Sequence, residues 1–229
     1  MLIKRLFNSN ICLTLSPLAN ESHMSDKKQE IINRSIGLFA RKGFEGTSIR
    51  DIASAAEVNV AMIHYYFGNK EMLFKQLVEY KAAATRGILD NIANDKSLSS
   101  IDKIDQIIET YVNRIFSHRD FHRVIHQELM LSDRVEAQNT IVNLLYPNSL
   151  IIRSIIENGI RKGDFKKVDP ELTVATIMGT IHQVLLSRKF CNKFINREDE
   201  YIPYDDPAFR KRVIDHMKYL MRNHLEKQD

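Results

Sequence analysis

Residues 47–70 read TSIRDIASAAEVNVAMIHYYFGNK, and the fold is decided there. Thr47 or Ser48 offers a side-chain oxygen that accepts from an unpaired backbone N–H and so starts a short helix. Ile49, Ile52, Ala53 and Ala56 follow at helical spacing and form one apolar face. Ala53 and Ala56 are small, so a second helix can cross close behind them. Asn59 is the next cap, and Val60, Ala61, Met62, Ile63, His64 and Tyr65 continue as that second helix. Two short helices joined by a tight turn form a helix-turn-helix, whose second helix is presented to the DNA major groove.

With Glu57 at the turn, Ile52, Ala56, Val58 and Ile63 fall where two crossed helices need a shared core. The surrounding pattern is long and ordered: Phe39, Gly43, Phe44, Thr47, Ile52, Ala53, Val58, the run Ile63-His64-Tyr65-Tyr66-Phe67, Lys70 and Leu73. On these residues the chain resembles the TetR family of bacterial transcription regulators, in detail over about residues 26–75 and beyond that only by helix layout. Two departures stand out. Glu57 occupies the usual turn glycine, placing a side chain where the backbone favours positive φ. His64 stands where the family usually has a tyrosine that contacts phosphate.

The candidate DNA-contacting residues are Thr47, Ser48, Arg50, Asn59, Val60, Ala61, His64, Tyr65 and Lys70. The second helix lacks Arg, Lys and Gln, the side chains best suited to paired contacts with base edges. Asn59 suits adenine, Val60 and Ala61 suit thymine methyls, and His64 and Tyr65 suit phosphate. Arg50, on the preceding helix, is the strong guanine or phosphate candidate. Ser48 and Lys70 sit at helix N-termini, where backbone N–H groups converge on phosphate. These choices predict an A·T-leaning site with much of the affinity from backbone contacts.

The chain has 229 residues and a net charge of +4. Residues 1–70 hold nine Lys and Arg against six Asp and Glu, which puts most of that excess on the DNA-reading side. No apolar run approaches the ~18 residues of a membrane span. Cys12 and Cys191 lie far apart with no paired spacing, which suits a reducing cytoplasm and argues against a disulfide scaffold or a zinc site. Residues 1–23 are expected to be a disordered extension ahead of Met24, with a secretion signal as the lesser reading. Residues 24–70 are expected to form the DNA-binding head, and residues 71–229 a helical effector-binding and dimerisation domain.

In the head, Ile32, Ile36, Phe39 and Ala40 stripe a helix from Asp26 that Gly43 ends. Asn69 caps a long helix from Lys70 to about Asn94. Amphipathic helices follow through Ile101–Ile115 and Phe121–Met130. A third pattern begins near Asp133, is broken or kinked at Pro147 for want of a proline N–H, and ends at Gly163. Asp169-Pro170-Glu171 starts a helix to about Phe190 that is apolar on more than one face. A polar loop, Asn192 to Asp206, leads to a last helix. The fold class is therefore all-α.

A helix apolar on several faces must be buried, and a second copy of the chain is the expected cover. The resemblance implies the same, since the family's last main helices pair across a homodimer in a four-helix bundle. It also implies a small-molecule effector held among the C-terminal helices. Such a ligand is expected between the long helix from Lys70 and the helices 104–115 and 124–130, with Tyr111, Phe121 and Ile125 as lining residues. The other class is an effector-free DNA-binding adaptor whose C-terminal half binds a protein.

His118, His122 and His126 recur every four residues and share a face if one helix carries all three. A third ligand two turns from the first reaches one metal ion poorly, so no metal is expected. Arg123 and Glu128 equally suit the polar edge of a small-molecule pocket. No catalytic residues and no cofactor are expected: the chain lacks GxSxG, P-loop, HExxH and dinucleotide fingerprints. The expectation is a cytoplasmic, dimeric transcription regulator, a repressor that an effector releases from a double-stranded DNA operator.

Overall fold

The computed structural model describes residues 17–131 and 133–227. Among these residues ten α-helices follow one another: α1 (Pro17–Lys42), α2 (Ile49–Ala55), α3 (Val60–Phe67), α4 (Lys70–Asn94), α5 (Ser100–Ser117), α6 (Arg119–Leu131), α7 (Val135–Lys162), α8 (Pro170–Leu186), α9 (Arg188–Phe194) and α10 (Pro207–Leu225). Among the described residues there is no strand, only an isolated bridge between Phe165 and Glu226. The all-α expectation stands.

Most helix starts are written locally. Ser48, Asn59, Asn69, Ser99, Asp169 and Asp206 each cap the following helix by accepting from a first-turn N–H. Of the two candidates at the first cap, Ser48 takes the position, while Thr47 Oγ1 donates to the Gly43 carbonyl at 2.8 Å. Gly43 and Gly163 end α1 and α7 at φ of 73° and 83°.

Four details depart from the sequence expectations. The extension expected over residues 1–23 lies largely outside the described residues, but α1 is already helical at Pro17, ahead of Asp26. A proline opens a helix well because its missing N–H would have no helical partner there. Pro147 does not break α7, which runs unbroken from Val135 to Lys162. Arg86 of α4 reaches across to it, donating to the Leu144 carbonyl at 3.0 Å and to Asn148 Oδ1 at 3.2 Å, while buried Asn148 donates to the Ala82 carbonyl. These bonds hold the proline turn against a neighbour. Finally, α8 stops at Leu186, because Ser187 caps the separate helix α9. The expected loop from Asn192 is correspondingly tighter, with Asn192 Nδ2 donating to the carbonyls of Glu198 and Tyr201 at 2.7 and 2.9 Å.

Two apolar cores result. The first gathers Ile31, Phe39, Phe44, Ile52, Ile63 and Phe67 with Leu73, Phe74, Leu77 and Val78 of α4. It continues into Phe121, Val124 and Ile125 of α6 and Ala137 and Ile141 of α7. The packing of the head therefore crosses residue 70. The second core takes Leu89 and Ile92 of α4, the inner faces of α5, α7 and α8, and α10.

Candidate nucleic-acid interface and effector cavity

The two reading helices are held by the residues their spacing predicted. Ile52, Ala53, Ala56 and Ile63 are buried between them, and Val58 packs against the same core with its N–H on the Ala53 carbonyl at 2.9 Å. At the start of α2, Ser48 and Asp51 form a reciprocal box. The Ser48 backbone N–H donates to Asp51 Oδ2 at 2.8 Å, and Ser48 Oγ accepts from the Asp51 N–H at 3.1 Å. The Ser48 hydroxyl, then its N–H, then Lys42 at 2.9 Å hold the Asp51 carboxyl well below the usual carboxylate range. Between the helices Glu57 adopts φ 53°, the left-handed conformation that glycine adopts most readily.

The candidate contact residues divide into two groups. Ser48, Arg50, Asn59, Ala61, His64 and Tyr65 are exposed and Val60 is half-buried, with Tyr65 at 74% exposure. Asn59 Oδ1 is engaged by the Met62 N–H at 2.8 Å, so its amide nitrogen is the free end. His64 Nδ1 lies 2.7 Å from the Gly68 carbonyl; it donates there and leaves Nε2 to face outward. Thr47 and Lys70 turn inward instead. Thr47 is buried, and the Lys70 ammonium donates to the Phe44 and Thr47 carbonyls at 2.9 and 3.0 Å while lying 4.2 Å from the Phe44 ring centroid.

The expected lining of an effector site needs correction. Tyr111 is packed into the second core and Ile125 into the first, and the region between α4 and α5 is filled by Leu89, Ile92, Ile104, Ile107 and Ile108. A cavity of ≈ 670 Å³ opens instead on the other side of α6, against Ser187 and Arg188 and the Tyr204 ring. Arg119, Arg123, His122 and His126 of α6 form its wall. Phe121 lines only a smaller hollow of ≈ 350 Å³ near His118 and Lys81. Of the two polar residues suggested for a pocket edge, Arg123 lines the cavity, whereas Glu128 is buried and pairs with Arg134 at 2.9 Å.

The three regularly spaced histidines do not share one helix. His118 is the C-cap of α5, while His122 and His126 belong to α6. The neighbour of His122 and His126 is His182 of α8, whose ring centroid lies 6.4 Å from that of His122 and 4.6 Å from that of His126. Sequence spacing carried no sign of His182, since only the packing of α8 on α6 brings it in. Among the described residues no group of His, Cys, Asp and Glu has the geometry of a metal site. Burial, then the neighbouring imidazoles and Arg114, push the His122 pKa down to about 3; burial and His126 push His182 down to about 4.

These depressed values tie stability to pH. The folded state keeps both imidazoles neutral, whereas the unfolded chain protonates them near pH 6.5. Their contribution is fully present above that pH and is lost as pH falls toward the folded values, by up to about 1.4 kcal/mol per pH unit for each histidine. Melting temperature is expected to drop between pH 7.5 and 5, and less so in His122→Gln. An equal drop in the variant would show that other groups set the dependence.

The comparisons with known proteins fit this geometry. Residues 31–77 match the family described as "Bacterial regulatory proteins, tetR family", and residues 97–186 match the family described as "Tetracyclin repressor-like, C-terminal domain". The chain is 25% identical to the HTH-type transcriptional regulator YttP of Bacillus subtilis, over 86% of this chain and 92% of that protein. It is 32% identical to the biofilm operon icaADBC negative regulator IcaR of Staphylococcus aureus, over 37% of this chain and 45% of that one. In fold it is similar to the transcriptional regulator FadR of Bacillus subtilis in complex with stearoyl-CoA, with a TM-score of 0.63 and 20% identity, over 82% and 96% of the two chains.

Proposed function

The chain belongs to the TetR family of transcription regulators, and from that premise we propose that it is a homodimeric repressor released from its operator by a small-molecule effector. The observation that carries the effector reading is the position of α6. One face of this helix walls the cavity through His122 and His126, and another inserts Phe121, Val124 and Ile125 into the core of the DNA-binding head. A ligand that moves α6 therefore moves the seat of the reading helices. Release requires only that the ligand favour one shape by a few kcal/mol.

The dimer reading rests on α8. One side of it is buried in the second core, but Leu172, Ala175, Thr176, Gly179 and Gln183 form an exposed face, with Leu172 at 65% exposure. Nothing lies within 4 Å of a β-carbon added at Gly179, so another helix has room to approach closely there. Repression is supported by the likeness to IcaR, itself described as a negative regulator. The cytoplasm is the proposed place of action, and among the described residues no helix is long and apolar enough to cross a membrane.

Fluorescence anisotropy on the chain's own upstream DNA, at several salt concentrations and beside a scrambled duplex, tests the reading. Two subunits per specific site and a steep salt slope are expected. Equal weak binding to both duplexes, with no specific site recovered genome-wide, would reject it. Arg50→Ala is expected to weaken operator binding by about 1–3 kcal/mol through loss of a guanine or phosphate contact. An unchanged affinity would remove Arg50 from the interface. Glu57→Gly is expected to stabilise the chain by about 0.5–1 kcal/mol in thermal melts, and Glu57→Ala, which keeps a β-carbon at φ 53°, much less. Equal effects would assign any gain to the lost charge instead.

The adaptor reading retains one supporting observation. Phe190 and Phe194 of α9 are 57% and 80% exposed, a pair of aromatic rings open to a protein partner.

A further inference from the structure

The cavity beside α6 carries a charge pattern that specifies the chemistry of its ligand. Its lining presents three guanidiniums, Arg119, Arg123 and Arg188, against the single carboxylate of Asp120. Arg119 is laid over the Tyr204 ring at 5.0 Å, which fixes its position on the wall. The half-buried imidazoles of His122 and His126 complete that wall, with His182 against both. None of these three rings hydrogen-bonds to another group among the described residues. None of their ring nitrogens is a buried polar atom left without a partner, so the nitrogens remain open to a ligand that enters the cavity.

We propose that this cavity binds an amphiphilic organic anion, its carboxylate or phosphate head held by the arginines and by imidazoles that take up a proton from solvent as the anion arrives. The inference rests on the effector reading above and adds to it the charge of the ligand and a coupling to pH. The groups facing His122 are His182 from α8, His126 from the next turn of α6, and His118 and Arg114 from the end of α5. Arg119, Arg123 and Arg188 share the cavity with it, opposed by Asp120. Burial first, then the neighbouring imidazoles and, for His122, Arg114, favour the neutral form of His122 and His182. An anion placed among them reverses the balance, because an opposite charge within a few ångströms favours the protonated form. A protonated imidazole donates from both nitrogens, which doubles what each ring offers the head group. The carbon part of the ligand lies against Met130 and the Tyr204 ring, the apolar surfaces of the lining.

Calorimetric titration of the full chain tests this with four probes of equal chain length: decanoate, decyl phosphate, decanol and decyltrimethylammonium. Both anions are expected to bind, decanol about tenfold or more weaker, and the cation not at all. Decanoate against decyl phosphate distinguishes the two head groups. Decanoate affinity is expected to rise severalfold from about pH 7.5 to 6, with net proton uptake revealed by buffers of different ionisation enthalpy. Arg123→Gln with Arg188→Gln, both surface positions, should abolish the preference for decanoate over decanol. His126→Gln and His182→Gln should each flatten the pH response while retaining binding, and either one suffices if the other fails to fold. Decanol binding as tightly as decanoate, or decanoate affinity falling with pH, would overturn the proposal while leaving a site for neutral effectors. Absence of binding by all four probes would overturn both the proposal and the assignment of this cavity as the effector site.

Discussion

An Arg134→Ala chain is expected to lose about 3 kcal/mol of stability, the low end for breaking a buried ion pair by removing one partner. The guanidinium lies 3.4 Å from the Phe44 ring centroid, bonds Glu128 at 2.9 Å and approaches Glu45 at 3.6 Å. Glu128 is only 5% exposed, so deletion of its cation leaves a carboxylate buried without a partner. Arg134 itself retains 23% side-chain exposure, which is why the lower figure applies. The Lys70 ammonium lies 4.2 Å from the centroid of the same ring, so Phe44 meets two cations, one from the head and one from the start of α7. The double variant Arg134→Met with Glu128→Leu should recover most of the loss, because neither charge is then stranded. Urea denaturation measures both chains. A cost below about 1 kcal/mol for the single variant would mean that water reaches Glu128 and that the pair behaves as a surface contact. If the Arg134–Glu128 pair also carries the effector signal, the double variant should bind operator normally but respond more weakly to ligand.

Gly159→Ala is expected to cost about 3 kcal/mol, at the upper end for overpacking a core. A β-carbon at this position in α7 would overlap the Phe165 ring, and Phe165 is 2% exposed. The ring cannot retreat easily, because the turn that carries it is closed on Gly159 itself. The N–H groups of Asp164 and Phe165 both donate to the Gly159 carbonyl, at 2.9 and 3.2 Å. The next residue ties down the C-terminus, with the Lys166 N–H on the Leu225 carbonyl at 2.7 Å. Displacing Phe165 should therefore loosen the end of α10 as well, seen as faster amide exchange around Leu225. Phe165→Leu in the Gly159→Ala background should restore part of the loss by making room. A neutral Gly159→Ala would show that α7 can shift bodily away from the ring.

Whatever depends on nearby residues was legible in the sequence. Ser48, Asn59, Asn69 and Asp169 act as caps within three residues of the groups they satisfy, and the core of the two reading helices follows from the spacing of Ile52, Ala56, Val58 and Ile63. What failed depends on contacts distant in sequence. Pro147 predicts a break or a kink, and the break is absent, with Arg86 and Asn148 supporting the turn from α4 and back to it. The sequence likewise carries no sign that the loop before α2 supplies two carbonyls to the Lys70 ammonium. Tyr111 and Ile125 have the right character for a ligand site, yet apolar residues suit a filled core equally well, and that is where both lie. His182 and Arg134 reach their roles only through packing, and no local pattern marks either.

The spread of the first core across α4, α6 and α7 bears on how such a regulator can be taken apart and recombined. A chimera joined at residue 70 would separate Phe39 and Phe44 from Phe74, whose ring meets both edge-on at 6.0 and 5.5 Å. It would also remove the floor that Phe121, Val124 and Ile125 provide. The reading helices are therefore not a detachable cartridge. A workable graft has to carry the first two turns of α4 and present matching faces on α6 and α7. New operator specificity is more accessible by changing the outward residues of α2 and α3 in place than by exchanging the head.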